Sequence, residues 1–237
     1  MSNREKNKQG IMKKILMTAA IALLTFGCSR SEEVKNTATA VNAPPVAANS
    51  SEPVKEPESF TAGANPRGDV LYSTKKQMSA QVWSATVTSE TTPELNMLME
   101  HVAPDRYYVK QPAGEVIVIG SASYVNQSGK WQNAGIDLSE QLSSQVKLIS
   151  EEALAKIKDV QKVGTEQVNG KEAIIYSYKT EADEDAGEAT TTKVWIDKDK
   201  GLPVKINVEG TINGQVQKVS TVYNYEKPVR IEAPKIN

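Results

Sequence analysis

The chain has 237 residues, with 28 Lys or Arg against 29 Asp or Glu, so its formal net charge is only −1. This balance lacks the basic excess that nucleic-acid binding needs, and we expect no nucleic-acid partner. A single Cys excludes internal disulfides, and a single His leaves little for catalytic or metal-binding constellations, so we expect no enzyme, no metal site and no cofactor.

Residues 1–27 have the layout of a cleaved secretory signal peptide. Five basic residues precede an apolar run at 15–26, and Gly27 and Cys28 follow it. The run has about 12 apolar or small residues, whereas a membrane-spanning helix needs about 20. We therefore expect this segment to direct export and then to be removed.

Residues 24–28, Leu-Thr-Phe-Gly-Cys, resemble the lipobox of bacterial lipoproteins. The resemblance implies that Cys28 becomes the acylated N-terminus and anchors the chain in a membrane, for which two acyl chains suffice. Ser29 stands where inner-membrane lipoproteins of enteric bacteria carry an aspartate. We therefore expect the outer membrane, facing the periplasm, in a host with two membranes, and the outer face of the cytoplasmic membrane otherwise.

Residues 28–66 have the composition of a disordered tether. They are rich in Ser, Glu, Ala and Pro and contain one aromatic residue, Phe60. Such a segment cannot bury enough apolar surface to offset its conformational entropy. We expect one folded domain at 67–237, which is long enough for a substantial core. The mature chain keeps 23 basic and 28 acidic residues, for a formal charge of −5.

The domain begins with helical spacing at 70–78, and strand patterns follow at 83–88, 95–102, 106–110, 116–119 and 123–125. Leu138, Leu142, Val146 and Ile149 then recur every three or four residues, which predicts a helical region with one apolar stripe. Strand patterns resume at 161, and Asn-Gly pairs at 169–170 and 213–214 predict two hairpin turns. This order predicts an α+β fold with an antiparallel sheet of about ten strands.

Several short segments occur in an order that resembles a known family. They are Ala103-Pro104-Asp105-Arg106-Tyr107, a strand ending at Ile119-Gly120, Val163-Gly164-Thr165-Glu166, and residues 194–197 followed by 201–205. This order is similar to that of the LolA/LolB-like superfamily, in particular the LppX/LprG-type envelope lipoproteins. The resemblance implies a curved, incomplete β-barrel whose concave side is covered by helices at 138–157 and encloses a cavity for acyl chains.

The resemblance makes an apolar ligand, namely lipid acyl chains, the expected partner. We predict that ten side chains line the cavity or its helical lid: Met97, Met99, Ile117, Ile119, Leu138, Leu142, Val146, Ile149, Val204 and Ile206. The alternative is a non-catalytic envelope sensor or scaffold that binds another envelope protein and fills its core with its own side chains.

Three polar features are interpreted as structural. His101 lies at the end of a strand pattern and is interpreted as a core residue. The acidic run at 181–188 is interpreted as a solvated hairpin loop rather than a cation site. Residues 197–201 are interpreted as a turn, because a calcium loop would need its glycine one position later and an acidic residue where Val208 stands.

Overall fold

The computed structural model describes residues 59–146, 157–180, 189–212 and 215–236. The described helices are α1 (Pro66–Met78) and α2 (Ser139–Val146), with a short 3₁₀ helix at Pro93–Leu95. The described strands are β1 (Val82–Ser89), β2 (Met97–Val102), β3 (Arg106–Gln111), β4 (Gly114–Ile119), β5 (Ala122–Gln127), β6 (Lys130–Asn133), β7 (Ile157–Val168), β8 (Lys171–Thr180), β9 (Thr190–Asp197), β10 (Pro203–Ile212) and β11 (Gln215–Asn224).

The strands form one antiparallel sheet in the order β6-β5-β4-β3-β2-β1-β11-β10-β9-β8-β7. Each half is a meander of neighbours in sequence, and the halves join where β11 returns to pair with β1. The order ends at β6 and β7, so the sheet is curved but not closed. The predicted α+β class and incomplete barrel are confirmed, with eleven strands in the described residues rather than about ten.

Strand register places one row of side chains across the sheet, and the row is apolar except for Thr221. Val87 lies opposite Met97 on one side and Thr221 on the other, and Thr221 lies opposite Ile206. The row continues through β9 to Tyr176 on β8. The face that carries this row packs against α1 and α2, and we call it the inner face.

Two clusters of buried side chains cover the inner face. The cluster on the α2 side combines β1 to β5 and Tyr223 with Leu138 and Leu142. The cluster on the α1 side combines β7, β8 and β9 with Val70, which is 2% exposed. Ile206 packs against both clusters. One sheet face therefore carries two neighbouring cores, each under its own helix.

The Asn169-Gly170 hairpin has the predicted geometry. Both residues adopt positive φ, 51° and 77°, as a two-residue turn between right-twisted strands requires. Val168 and Lys171 pair at its base. The predicted turn at 213–214 lies outside the described residues.

Helix α1 begins where the sequence supplies an N-terminal cap. The Asn65 side-chain oxygen accepts a hydrogen bond from Gly68 N at 3.0 Å, and Pro66 occupies the first turn, where its missing N–H costs nothing. Residues 59–64 precede this cap and also pack on the domain, since the ring of Phe60 stacks on Tyr72 at 6.2 Å. The described fold thus includes part of the segment that the sequence assigns to the tether.

Candidate functional site

Three aromatic side chains form a wall on the inner face. Trp83 on β1 lies opposite His101 on β2, and His101 lies opposite Tyr107 on β3. Ring centroids are 5.4 Å apart for the first pair and 4.9 Å for the second. Tyr223 adds an edge-on contact with Trp83 at 5.9 Å. We call Trp83, His101 and Tyr107 the aromatic wall.

A cavity of about 190 Å³ lies against this wall. It is bounded by the end of α1, the chain leading into β1, the turn between β2 and β3, and α2. An apolar cavity of about 150 Å³ is large enough to bind benzene, so this one admits a small group or a few methylenes. The residues that line it are Gln77, Met78, Ser79, Ala80, Gln81, Trp83, His101, Ala103, Pro104, Tyr107 and Ser143.

Two of the lining residues carry buried polar atoms without a hydrogen-bond partner among the described residues. They are Gln77 Nε2 and His101 Nδ1, on side chains that are 3% and 7% exposed. Leaving a buried donor or acceptor unpaired costs free energy, so most such atoms in native proteins are satisfied. Five further atoms in the described part of the chain share this property: Ser73 Oγ, Gln111 Oε1, Asn126 Oδ1, Asn207 Oδ1 and Tyr223 Oη.

The described side chains that line the cavity are electrically neutral around pH 7. Burial lowers the pKa of His101 from its ordinary value, so the imidazole is uncharged. Burial, and then the negative charge of Asp105, raise the pKa of Tyr107, so the phenol stays protonated. Of the described residues that line the cavity, none is Lys, Arg, Asp or Glu. These described residues therefore offer hydrogen-bonding groups and aromatic surface.

Helix α2 covers the wall through a small number of described anchors. Leu138 and Leu142 are both buried in the α2-side cluster. Leu138 N donates to Ser123 Oγ at 2.9 Å, and Ala134 N donates to Ser123 O at 2.8 Å, which fixes the chain just before the helix. Ser143, one position after Leu142, lines the cavity.

The structure brings together about half of the ten predicted lining residues. Met97, Met99, Leu138 and Leu142 belong to the α2-side cluster, and Ile206 packs against it. Ile149 lies outside the described residues, and Val146 is described only through the backbone of α2.

Three predicted lining residues lie on the other face of the sheet. Ile117 and Ile119 alternate with Val116 and Val118, and the two valines belong to the inner cluster. A β-bulge between Pro203 and Lys205 interrupts the alternation of β10, and Val204 packs in a separate cluster with Val168, Ala173 and Trp195. We therefore leave these three residues out of the site.

Sequence reasoning missed Gln77 and the role of the wall. The alternation Met97, Met99, His101 already places His101 on the same face as the methionines, and that signal indicates a residue of the site. Gln77 is a polar residue near the end of a helix, and nothing in its sequence context predicts that it is buried.

The sequence analysis also missed a buried carboxylate in the first turn of α1. Asp69 is 0% exposed and accepts hydrogen bonds from Thr61 N and Thr61 Oγ1 at 2.6 and 2.7 Å. Gly63 N and the Tyr176 hydroxyl donate to its other oxygen at 2.6 and 2.7 Å. Burial and this carboxylate raise the pKa of Tyr176. Asp69 thus fastens residues 61–63 to β8.

Polar features elsewhere have local structural roles. Asp197 Oδ1 accepts hydrogen bonds from Asp199 N and Lys200 N at 2.9 and 2.8 Å, which closes the turn that the sequence predicts there. The acidic run at 181–188 lies outside the described residues. Within the described ranges, no group of three or more His, Cys, Asp or Glu is arranged to hold a metal, and no helix has the length and apolarity needed to span a bilayer.

Comparison with solved structures places this architecture among known folds. The chain is similar to the lipoprotein LppX of Mycobacterium tuberculosis, with 18% identity and a TM-score of 0.54 over 70% of this chain and 98% of LppX. It is also similar to LprF of Mycobacterium bovis, with 13% identity and a TM-score of 0.54 over 71% of this chain and 96% of LprF. No protein-family model matches the chain, and no curated protein matches it. The chain thus has the fold that LppX and LprF share.

Proposed function

We propose that this protein is a non-catalytic envelope lipoprotein that binds the acyl chain of a lipid on its inner face, beneath α2. The observation that supports this most is the cavity between the aromatic wall and Ser143 of α2. Trp83 and Tyr107 belong both to the cavity lining and to the α2-side cluster. A ligand in the cavity therefore contacts the apolar surface that α2 covers.

The cavity holds only part of a long acyl chain, so deeper entry requires α2 to move. Detaching Leu138 and Leu142 exposes two side chains, at a cost of about 3–6 kcal/mol. An acyl chain of about sixteen carbons gains roughly 0.8 kcal/mol for each methylene it buries, or about 12 kcal/mol in full. Full burial of the acyl chain would therefore leave about 6–9 kcal/mol to offset the freedom that the ligand loses on binding. Met97 and Met99 in the cluster can adapt to it, because Met is flexible and polarisable.

Membrane anchoring through Cys28 is the second part of the proposal. Cys28 and the segment up to 58 lie outside the described residues, so this part rests on the lipobox-like sequence. A disordered tether, as the composition of this segment predicts, would have a root-mean-square span of roughly 30 Å for about 30 residues. The domain would then remain within reach of the membrane that supplies or receives the lipid.

Anchoring is tested by Cys28→Ala in the full chain. We expect the variant to lose metabolic labelling with a radioactive fatty acid and to remain unprocessed by the lipoprotein peptidase. A variant that is processed and acylated like the original would show that Cys28 is not the lipidation site.

A protein-binding scaffold is the second candidate, and the extent of the α2-side cluster favours it. Fifteen side chains are buried in this cluster, whereas the cavity beside it has a volume of only about 190 Å³. A core filled by its own side chains supports partner binding without any lipid, and another envelope protein would then be the ligand. The two candidates differ in whether the space beneath α2 accepts an apolar molecule.

Two substitutions on α2 separate these candidates. Ser143→Trp places an indole at the cavity, whereas Glu140→Trp adds the same group at an exposed position three residues earlier. We expect Ser143→Trp to weaken binding of a fluorescent fatty-acyl ester at least tenfold and Glu140→Trp to leave it unchanged. If the unsubstituted protein binds no probe, the scaffold is the better account.

A further inference from the structure

The described chain begins at one particular end of the sheet. Phe60 lies against the turn from β9 to β10, because a Cβ added at Gly201 in this turn would be 3.1 Å from Cγ of the Phe60 ring. Strand register extends this end across the sheet: β10 starts beside the end of β11, and β1 starts beside the end of β11 as well. The segment that leads upstream toward Cys28 therefore joins the domain at the end of the sheet where β1 starts.

The cavity lies at the same end of the sheet. Ala103 N donates to Gln81 O at 2.7 Å, which ties the turn between β2 and β3 to the chain that leads into β1. Gly120 N donates to Asp105 O at 3.2 Å, so the turn between β4 and β5 lies here too. Helix α1 joins the two places, because the described chain enters it from the Phe60 side and its last residue, Met78, lines the cavity. We call this part of the molecule the tether end, with residues 59–63, 77–81, 103–105, 120–121 and 198–202.

Two large apolar side chains are exposed at the tether end. Met78 is 38% exposed at the edge of the cavity. Ile136 is 47% exposed in the loop between β6 and α2. Ala134 N and Leu138 N, on either side of it, donate to Ser123 O and Ser123 Oγ, and Ser123 is the second residue of β5. This loop therefore belongs to the tether end, and α1 and α2 each carry one exposed apolar side chain there.

Several charged side chains at the tether end form ion pairs. Lys171 and Lys200 contact Glu226 at 2.7 and 2.9 Å, and Lys198 contacts Glu172 at 3.0 Å. A basic side chain whose charge is matched by a neighbouring carboxylate adds little attraction for an anionic lipid headgroup. Contact of this end with a bilayer would therefore depend on its apolar side chains, and we expect it to depend little on salt.

We propose that the tether end docks on the bilayer that holds the lipid anchor, with Met78 and Ile136 inserted at the boundary between headgroups and acyl chains. The cavity then faces the membrane. This inference rests on the anchoring part of the proposed function, and it does not require that a lipid has entered the cavity. The position of residue 59 supports it, because the chain from Cys28 reaches the domain at this end. Tethering also raises the effective concentration of the bilayer at the domain, so a contact made by two side chains suffices.

The experiment measures bilayer contact at single positions of the mature chain, residues 28–237, with Cys28→Ser. Cys28 is the only cysteine, so Met78→Cys and Ile136→Cys each carry one NBD fluorophore at the tether end. Val163→Cys on β7 and Val216→Cys at the start of β11 are matched controls, since these residues are 51% and 50% exposed and lie outside the tether end. An N-terminal hexahistidine tag replaces the acyl anchor and binds phosphatidylethanolamine–phosphatidylglycerol vesicles that contain a nickel-chelating lipid.

We expect NBD emission at positions 78 and 136 to rise at least about twofold on vesicle binding, and a nitroxide-labelled lipid to quench it. The two control positions should change little. Quenching by the lipid separates bilayer contact from a fluorophore that enters the cavity of its own protein. The signal should persist in about 0.5 M NaCl, where charge interactions are screened within a few ångströms. Thermal midpoints check that all four labelled proteins are folded.

Three results would overturn the docking proposal. They are an unchanged emission at 78 and 136, equal changes at all four positions, and loss of the signal in high salt. The nickel-chelating lipid supplies the anchor in this test, so its outcome does not depend on acylation of Cys28. If Cys28→Ala abolishes acylation of the full chain but positions 78 and 136 never meet the bilayer, anchoring stands and the docking proposal alone is wrong.

Discussion

Two buried polar groups lie under the two halves of the inner face, and the protein treats them differently. Asp69, in the first turn of α1, accepts four hydrogen bonds from Thr61, Gly63 and Tyr176. His101, in the aromatic wall, has a ring nitrogen without a partner in the described structure. A satisfied buried group of this kind stabilises a fold. The cavity to which we assign ligand binding lies beside His101 instead. On this proposal, the α1 half is the structural half and the α2 half the binding half.

The largest effect that tests this contrast is expected from Asp69→Ala. The substitution leaves the Tyr176 hydroxyl and the amides of Thr61 and Gly63 without their acceptor, and each buried unpaired group costs about 1–3 kcal/mol. We expect a loss of at least about 3 kcal/mol, which lowers the thermal midpoint by about 6–12 °C. Tyr176→Phe removes one donor and should cost about 1–2 kcal/mol. A midpoint unchanged by Asp69→Ala would contradict a structural role.

The same carboxylate should determine where the folded domain begins. Because Asp69 holds Thr61 and Gly63, and Phe60 packs on Tyr72, limited proteolysis should leave a resistant fragment that begins near 59. In Asp69→Ala we expect cleavage to extend to about 65, as mass spectrometry of the fragments would show. Equal fragment ends in both proteins would mean that the segment is held by other contacts.

A smaller effect is expected from the pH dependence of the wall. Burial lowers the pKa of His101 in the folded protein below its ordinary 6.5. Between pH 6.5 and this lower pKa, the unfolded chain therefore binds more protons than the folded protein. Stability is therefore fully present above about pH 6.5 and is lost as the pH falls. His101→Phe should lose less stability than the original protein between pH 7 and pH 5 in denaturant titrations. Parallel curves for the two proteins would show that His101 titrates normally.

The smallest effect, and one of opposite sign, is expected from Gln77→Met in the absence of ligand. Replacing an unsatisfied buried amide by an apolar group of similar shape removes a desolvation cost without removing a hydrogen bond from Nε2. The free energy of unfolding should stay the same or rise by up to about 1 kcal/mol, and the thermal midpoint should change in the same direction. Gln111→Met should behave alike. A clear fall for Gln77→Met alone would place Gln77 among the structural groups, with Asp69.

The sequence predicts the parts of this fold that depend on local patterns. Alternation predicts most strands, and Asn169-Gly170 predicts a hairpin because few residue pairs adopt positive φ twice in succession. The assignment of Val204 to the inner face failed for a physical reason. A β-bulge inserts one residue and reverses the alternation that follows it, and its position depends on the partner strand.

The candidate site depended on contacts that no local pattern encodes. The bond between Tyr176 and Asp69 joins residues 107 positions apart, and the cavity joins the end of α1 to β2 and α2. The prediction that Ile117 and Ile119 lie on the inner face failed because they belong to a β-branched run that is buried on both faces. Such a run carries no alternation that would indicate which face points inward. Whether Gln77 and His101 find partners is a property of the assembled fold alone.

The central claim, that the space between the aromatic wall and α2 binds an acyl chain, is tested most directly by an atomic-resolution structure of the mature chain with methyl decanoate. The account predicts that the acyl chain lies against Trp83 and Tyr107, beneath α2. An empty cavity with the ligand bound elsewhere would contradict it.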